Sequence, residues 1–548
     1  MTMPKLRYIA ENGVLGNGQV INWYYVLMVA GFVACMLQIW VPAYFLNCDG
    51  PCHLANAKAM LAMWTVPGED FYSRFYTISD QPNPNWLTNI LLVALLPIVK
   101  GAVAEKILIS GYVLLMLVSL NQLLRKLSGG RHLFTALFLV FIFNNTLAQG
   151  FYNFSFSISF FLLLVNSWLG YLEHNRNLSA VWIFAFMLLT YFSHPVSFGY
   201  GIVVCFSLLL SYAASGYFSG DAKRITKYAM VLILCALPFL LFFLTFAENS
   251  AKHGKIVPAF MPERLTELMS FDYLVNYSSK EVLVVKLLGV IFTVLFFLVF
   301  VFKLVTKRYI HKLDGLLLSL LIVVYAFLNM PDKMMGGGLF VMRTGLYLFL
   351  ITGFCAAYLL SNKVKNIFGI IGFLCFLLLV TIRIPIMYAG AQIVKEHATV
   401  SRLMPEGSVL LPLNFNKMGK GKDGNILADR NEVYGHVAQY IGADNEILVL
   451  DNYEANTGYF PLNWKNEVNP YIHLNRYRGI EGKPPGGGPV QYKQKTGVNI
   501  DYILLLNYEP SFAAHVDFIE LKTQLDTAFH EIYRSKSEKT VLLMSNSK

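Results

Sequence analysis

The chain has 548 residues, of which 56% are hydrophobic and only 14% charged, and its mean hydropathy is +0.51. A soluble domain is about a quarter charged, so an ordinary soluble globular protein is excluded and a membrane body is implied. The net charge of +11 is not organised into a basic face with interleaved aromatics outside the loops between apolar runs, which excludes nucleic acid as a partner.

Residues 1–22 precede the first apolar run and read as a cytoplasmic N-terminus. Spanning segments are expected at 23–46, 105–124, 132–149, 154–172, 179–193, 195–217, 228–247, 282–304, 313–329, 340–361 and 366–388, about eleven in all. The first run lacks a small-residue cleavage site and reads as a span, not a signal peptide. The stretch from Trp86 to Val99 follows QPNPN and ends at LLPIVKG. It is short for a span and reads as an interfacial or re-entrant helix.

Loop charges orient this body. With the N-terminus inside, the inner loops collect Arg125, Lys126, Arg131, Lys223, Arg224, Lys227, Lys303, Lys307 and Arg308. The outer turns near 144–153 and 193–195 hold no Lys or Arg. That asymmetry follows the positive-inside rule. It gives a multi-pass protein of the cell (inner) membrane, with body 23–388, a large outer loop at 47–104, and residues 389–548 as a soluble periplasmic domain.

The C-terminal domain reads as α/β. Short apolar runs at 408–413, 446–451, 501–507 and 540–545 have strand length. Segments 429–442 and 516–533 have helical spacing. The Gly/Pro-rich GKPPGGGP (482–489) lacks the Lys-Ser/Thr ending of a phosphate loop and reads as a surface loop.

Polar residues at the rim of an apolar bundle carry the functional information, because lipid penalises them. The strongest cluster is NCDGPCHLANAKAM, after the first run. Asp49 lies just outside the membrane, Gly50 and Pro51 turn the chain, and His53 begins an amphipathic helix that carries Lys58. A carboxylate facing a dry cleft can act as general base towards a hydroxyl, with His53 within reach one helical turn on. The alternative is a capping Asp with a solvated His. Cys48 and Cys52 flank Asp49 at a spacing that makes a disulfide feasible but tight. No paired Cys/His zinc spacing occurs, so no metal ligands are expected.

Arg343, beside the Gly-rich MMGGGLF, stands near the outer start of a span. There it either snorkels or meets an anionic headgroup. Lys58 is a second phosphate candidate, with interfacial anchoring as its alternative. His194 in SHP, and Tyr152 and Asn153 in the neighbouring outer turn, suit substrate hydroxyls or turn capping equally. Trp86 could stack on a sugar ring or anchor the interface.

This outline resembles the C-type (GT-C) superfamily of polytopic membrane glycosyltransferases that use polyprenyl-phosphate-linked sugars. The residues that carry the resemblance are Asp49 at the loop opening, NPNWLTNILLVALLP (83–97), GFYNFSFSISFFLLL (150–164), SHP (193–195) and the Arg of FVMRTGLYLFL. It implies an inverting transfer to a glycan, lipid or protein acceptor, with Asp49 as catalytic carboxylate. It implies no cofactor here: metal-dependent members supply several carboxylates, whereas Asp49 is followed by Gly and no Asp-x-Asp appears in the loop. A transporter or lipid flippase, or a non-catalytic scaffold for envelope polysaccharide, are the alternatives. Transport is disfavoured by the missing repeat symmetry.

Overall fold

Hydropathy places helices, and the faces they leave exposed show what they pack against. The computed structural model describes residues 13–14, 20–251, 260–305, 310–334, 337–420, 425–474, 485 and 487–547. In chain order the helices are α1 (Trp23–Trp40), α2 (Gly50–Thr65), α3 (Leu87–Leu95), α4 (Gly101–Ser128), α5 (Tyr152–His174), α6 (Asn177–Ser193), α7 (Pro195–Ala214), α8 (Ala222–Ala251), α9 (Met261–Ser270), α10 (Val282–Val305), α11 (Gly315–Asn329), α12 (Phe340–Leu359) and α13 (Asn362–Ala398). Eight helices are long and apolar enough to cross a bilayer, and shorter apolar helices lie at Leu133–Ala148, Asn177–Ser193 and Gly315–Asn329. The protein is therefore mostly helical and built as a multi-pass membrane protein.

The exposed faces have the inverse amphipathicity expected in lipid. On α10, Leu283, Leu287, Val290, Val294, Phe297, Val301 and Leu304 are exposed, while Val285, Leu288, Phe292, Leu295 and Val299 are buried. The exposed set repeats every three or four residues, so it forms one apolar stripe along the helix. A stripe of that length on a soluble protein would be an aggregation surface.

Helix ends follow local chemistry. Gly129 and Asn175 end α4 and α5 in the left-handed region, where Gly and Asn are tolerated best. Pro195 opens α7, and His194 accepts from the Val196 amide as its cap. The expected span at 132–149 is not a lipid-facing helix. Leu133–Phe141 is a 3₁₀ run, and it is buried along most of its length. The last long helix passes 388 and continues to Ala398, and the first strand after it begins at Ser408.

Besides a two-residue antiparallel pair, Gly13–Val14 with Val20–Ile21, the strands are β1 (Tyr76–Ile78), β2 (Ser408–Asn414), β3 (Ile447–Val449), β4 (Leu462–Trp464), β5 (Tyr502–Leu506), β6 (Phe529–Arg534) and β7 (Thr540–Ser545). Five form one sheet in the order β3-β2-β5-β7-β6, with β3, β2 and β5 mutually parallel and β6 and β7 an antiparallel pair. β1 pairs antiparallel with β4 through Thr77 and Asn463, which ties the loop at 47–104 to the C-terminal domain.

Two helical expectations in this domain need correction. Within 429–442 only α14 (Gln439–Asp444) is helical. The preceding amides go elsewhere: Arg430 N donates to Tyr277 O, and Tyr434 N to Lys417 O. The expected helix 516–533 ends at Ala528 (α15, Val516–Ala528) because Phe529–Arg534 is captured as β6 by β7. Half of the Gly/Pro-rich 482–489 lies outside the described residues, and Pro489 opens a short helix that runs to Thr496.

Candidate functional site

The turn that opens α2 is built from short-range hydrogen bonds. Asn47 Oδ1 accepts from Gly50 N at 2.5 Å, and Asp49 N donates to Gln149 O at 3.0 Å. Gly150 crosses here with φ +89°, and a Cβ on it would come within 2.6 Å of Gly50 N. Only glycine combines that backbone with so close an approach.

Asp49 occupies the cap position of α2, yet its side chain makes no capping bond. Its carboxylate is turned instead to groups from the C-terminal domain. Tyr453 donates its hydroxyl to Oδ2 at 2.5 Å, and His436 Nε2 lies 3.9 Å from Oδ1. His436 Nδ1 faces Asp451 Oδ2 at 3.5 Å, and Gln439 Nε2 donates to the other Asp451 oxygen at 2.6 Å. The imidazole also stacks on the Tyr453 ring at 4.7 Å. Tyr453 thus holds Asp49 by a hydrogen bond, and His436 stands between the Asp49 and Asp451 carboxylates at ion-pair distance from each.

His53 does not pair with Asp49. Its Nε2 lies 3.1 Å from Gly150 O, an acceptor only, so that nitrogen carries the proton and donates. Its Nδ1 faces Glu454 Oε2 at 3.2 Å. Asn56 donates to the same oxygen at 2.6 Å and in turn accepts from Asn452. Burial opposes a charged His53, but the Glu454 carboxylate outweighs it and the histidine pKa is raised. Burial likewise raises Glu454. The pair behaves as one site that keeps its shared proton to higher pH than histidine in water.

The folded pKa lies above the unfolded value of about 6.5, so the shared proton stabilises fully below that value and is lost as pH rises through the folded one. The melting-temperature advantage of wild type over Glu454→Gln should therefore be largest near and just below pH 6.5 and shrink on the alkaline side. An advantage that grew with pH would contradict the shared proton.

Asp49, His53, Asn153, His194 and Arg343 all line one cavity of about 930 Å³, together with His436, Tyr453, Glu454 and Tyr459 of the C-terminal domain. Arg343 is buried over the rings of Phe151, Phe154 and Phe340, at 4.9, 5.6 and 5.7 Å. Its Nη1 donates to Gly338 O at 2.6 Å, and among the described residues no carboxylate pairs with it. A guanidinium held by π faces and one carbonyl keeps donors for an anion. The lining of the cavity also includes the apolar side chains of Val203, Phe243, Phe246 and Met330.

The other expected residues have different surroundings. Asn153 reaches the cavity, but its amide bridges Thr88 N and Asn85 O and so fixes the start of α3. Tyr152 stands behind the Asp49 turn and donates to Glu105. Trp86 lines a second cavity of about 410 Å³ against Leu188, Leu189 and Phe192. Lys58 is absent from the lining of either. It sits about 140° round α2 from His53 by helical geometry. Cys48 and Cys52 are both buried and are not joined in a disulfide.

Donor atoms of Cys48, Asp49 and His436 lie within 4.8 Å of one another. Thiolate, carboxylate and imidazole form a set suited to a borderline divalent ion more than to magnesium, and these are the residues that would hold one. The sequence expectation of no metal ligands looked only for local spacing, and His436 is remote in sequence. His436, Asp451, Tyr453 and Glu454 were also missed as site residues. One signal for the last three was present: DNYE follows β3 at the carboxyl end of a parallel strand, where open α/β sheets place their ligand-binding loops.

No family model matches the chain, and no curated protein does. Among solved structures, the chain is similar to the apo form of an oligosaccharyltransferase from Archaeoglobus fulgidus. The identity is 10% and the TM-score 0.45, over 88% of this chain and 69% of that one.

Proposed function

We propose that this protein is a membrane glycosyltransferase of GT-C type, with about eleven spans and its C-terminal domain on the outer, periplasmic side of the cell membrane. It moves a sugar from a polyprenyl phosphate to a hydroxyl of a glycan, lipid or protein acceptor. The observation that carries this reading is that Asp49 and Arg343, far apart in sequence, line one cavity whose lining also includes Val203, Phe243, Phe246 and Met330. The apolar lining suits the lipid chain, and Arg343 suits its phosphate. Asp49 takes the acceptor proton as the acceptor oxygen bonds to the anomeric carbon. The bond from that carbon to phosphate breaks, and the polyprenyl phosphate leaves with its negative charge against Arg343. One displacement inverts the anomeric centre. His436 and Tyr453 hold the base in line, and His194 and Glu454 face the sugar from the cavity wall.

The test uses the purified full chain with a panel of polyprenyl-phosphate monosaccharides, scoring release of polyprenyl phosphate. At least one donor should turn over. Arg343→Gln should weaken binding of farnesyl phosphate, a short product analogue, by about 10–100-fold, the range of a charge-assisted bidentate contact. Vesicle flux of lipid without cleavage of any donor would favour a flippase. Neither cleavage nor flux, with farnesyl phosphate still bound, would favour the scaffold.

A further inference from the structure

Directly beneath the Asp49 turn lies a carboxylate with no part in the chemistry above. Glu105, in the first turns of α4, is fully buried. Its Oε1 accepts from Asn47 Nδ2 at 3.0 Å and from the Tyr152 hydroxyl at 2.6 Å. Its Oε2 accepts from the Tyr440 hydroxyl at 2.6 Å. Neither Glu105 nor any of these three partners is among the residues that line the cavity. The carboxylate therefore joins three separate pieces: the loop that carries Asp49, helix α5, and α14 of the C-terminal domain. The same α14 also docks through Asp444, whose Oδ1 accepts from Gly101 N at the start of α4 at 2.7 Å.

The link from Glu105 to Asp49 is short and rigid. Asn47 gives its amide hydrogens to Glu105 and to Phe45 O, which fixes its Oδ1 towards Gly50 N. Gly50 lies so close above the clamp that a Cβ there would collide with Glu105 Oε1, Tyr152 Oη and Asn47 Oδ1. Asp49 is the residue between these fixed points. A buried carboxylate is costly unless its lone pairs are filled, and here three donors fill them. This group persists in the core at an expense that packing alone does not require.

We infer that Glu105 is a positioning residue for Asp49: it locks the Asn47–Gly50 turn and couples that turn to docking of the C-terminal domain, which supplies His436 and Tyr453. The inference rests on the transferase reading for its catalytic consequence, but not for its geometry.

Glu105→Ala and Glu105→Gln separate geometry from charge. Gln keeps Oε1 for Asn47 and Tyr152, and its Nε2 can donate to Tyr440, whose own hydrogen can turn to Phe45 O at 3.2 Å. Ala leaves all three donors without this partner. The first readout is alkylation of Cys48, which borders the turn, by N-ethylmaleimide in the absence of substrate. Glu105→Ala should react about tenfold faster or more than wild type, and Glu105→Gln at the wild-type rate, because only Ala frees the turn. Farnesyl phosphate affinity should stay unchanged in both, since Arg343 is held by other elements.

The second readout is kinetic, on whichever donor of the panel turns over. A misplacement of about 1 Å can cost about 100-fold, so kcat should fall by about that factor in Glu105→Ala, with the donor KM little changed, and recover in Glu105→Gln. Wild-type alkylation in Glu105→Ala overturns the inference, and so does a Glu105→Gln enzyme as impaired as Glu105→Ala. Should no donor turn over in wild type, the transferase reading fails while alkylation still decides the role of Glu105. If Glu105→Ala does not fold, Tyr440→Phe removes only the hydroxyl that faces Glu105 and Phe45 O, and must shift alkylation in the same direction.

Discussion

Asp49→Asn is expected to lower kcat by about 10²–10⁴-fold, the range a positioned proton acceptor supplies, with folding and farnesyl phosphate binding intact. The substitution is nearly isosteric, and the Asn carbonyl can still accept from Tyr453, so the hydrogen bond at 2.5 Å survives. What disappears is the second oxygen with its charge, the one that faces His436 at 3.9 Å. The position of Asp49 makes this a test of chemistry and not of helix capping, because its side chain caps nothing. A purely structural Asp49 would instead give a lower melting temperature with proportionate loss of activity. Full activity in Asp49→Asn would remove the base from the mechanism. His436→Gln should show a smaller loss of the same kind, since His436 faces the carboxylate from one side only. Its kcat should fall further than its affinity for donor, which the Arg343 end of the cavity sets.

The contrast between Asp49 and His436 explains which parts of the site were legible in the sequence. Lipid acts on every residue of a span in the same way, so apolar runs and the polar cluster after the first of them stand out from composition alone. Asp49, His53 and Arg343 were found because each interrupts or borders such a run. The same logic set the short α3 apart from the longer apolar helices. It did not detect that Leu133–Phe141 is buried in protein instead of facing lipid, since both environments select apolar side chains. The C-terminal domain has no such uniform solvent. Its four expected strands appear because β-branched and aliphatic runs of strand length pair in one sheet. His436 stands in a segment whose apolar spacing mimics a helix, but tertiary hydrogen bonds to Tyr277 and Lys417 override the local preference. Glu105 looks like an ordinary span-boundary charge, and its partners Asn47, Tyr152 and Tyr440 are far apart in the chain. Nothing short of the fold reveals that they meet.

Stability should respond most to the buried pair between Arg383 and Glu281. Both side chains are almost completely shielded, and Arg383 Nε donates to Glu281 Oε2 at 2.7 Å. The remaining guanidinium donors reach Phe143 O at 2.9 Å and Leu274 O at 2.6 Å. Glu281 in turn accepts from the amides of Asn276, Tyr277 and Ser278. Removing one member of such a pair leaves an uncompensated charge and costs about 3–5 kcal/mol, so Arg383→Met should lower the melting temperature sharply. Adding Glu281→Gln should recover part of the loss. The neutral amide oxygen still accepts from Tyr277 and Ser278, and no lone charge remains. A double variant worse than Arg383→Met would show that the carboxylate is held by the backbone amides more than by the arginine. The effect should also reach the site. Tyr277, fixed by Glu281, donates its hydroxyl to Leu46 O at 2.9 Å, immediately before the Asn47–Gly50 turn, and its own carbonyl accepts from Arg430 N of the C-terminal domain. At temperatures where Arg383→Met is still folded, faster alkylation of Cys48 should accompany its lower stability, as the turn loses the support that Tyr277 gives at Leu46.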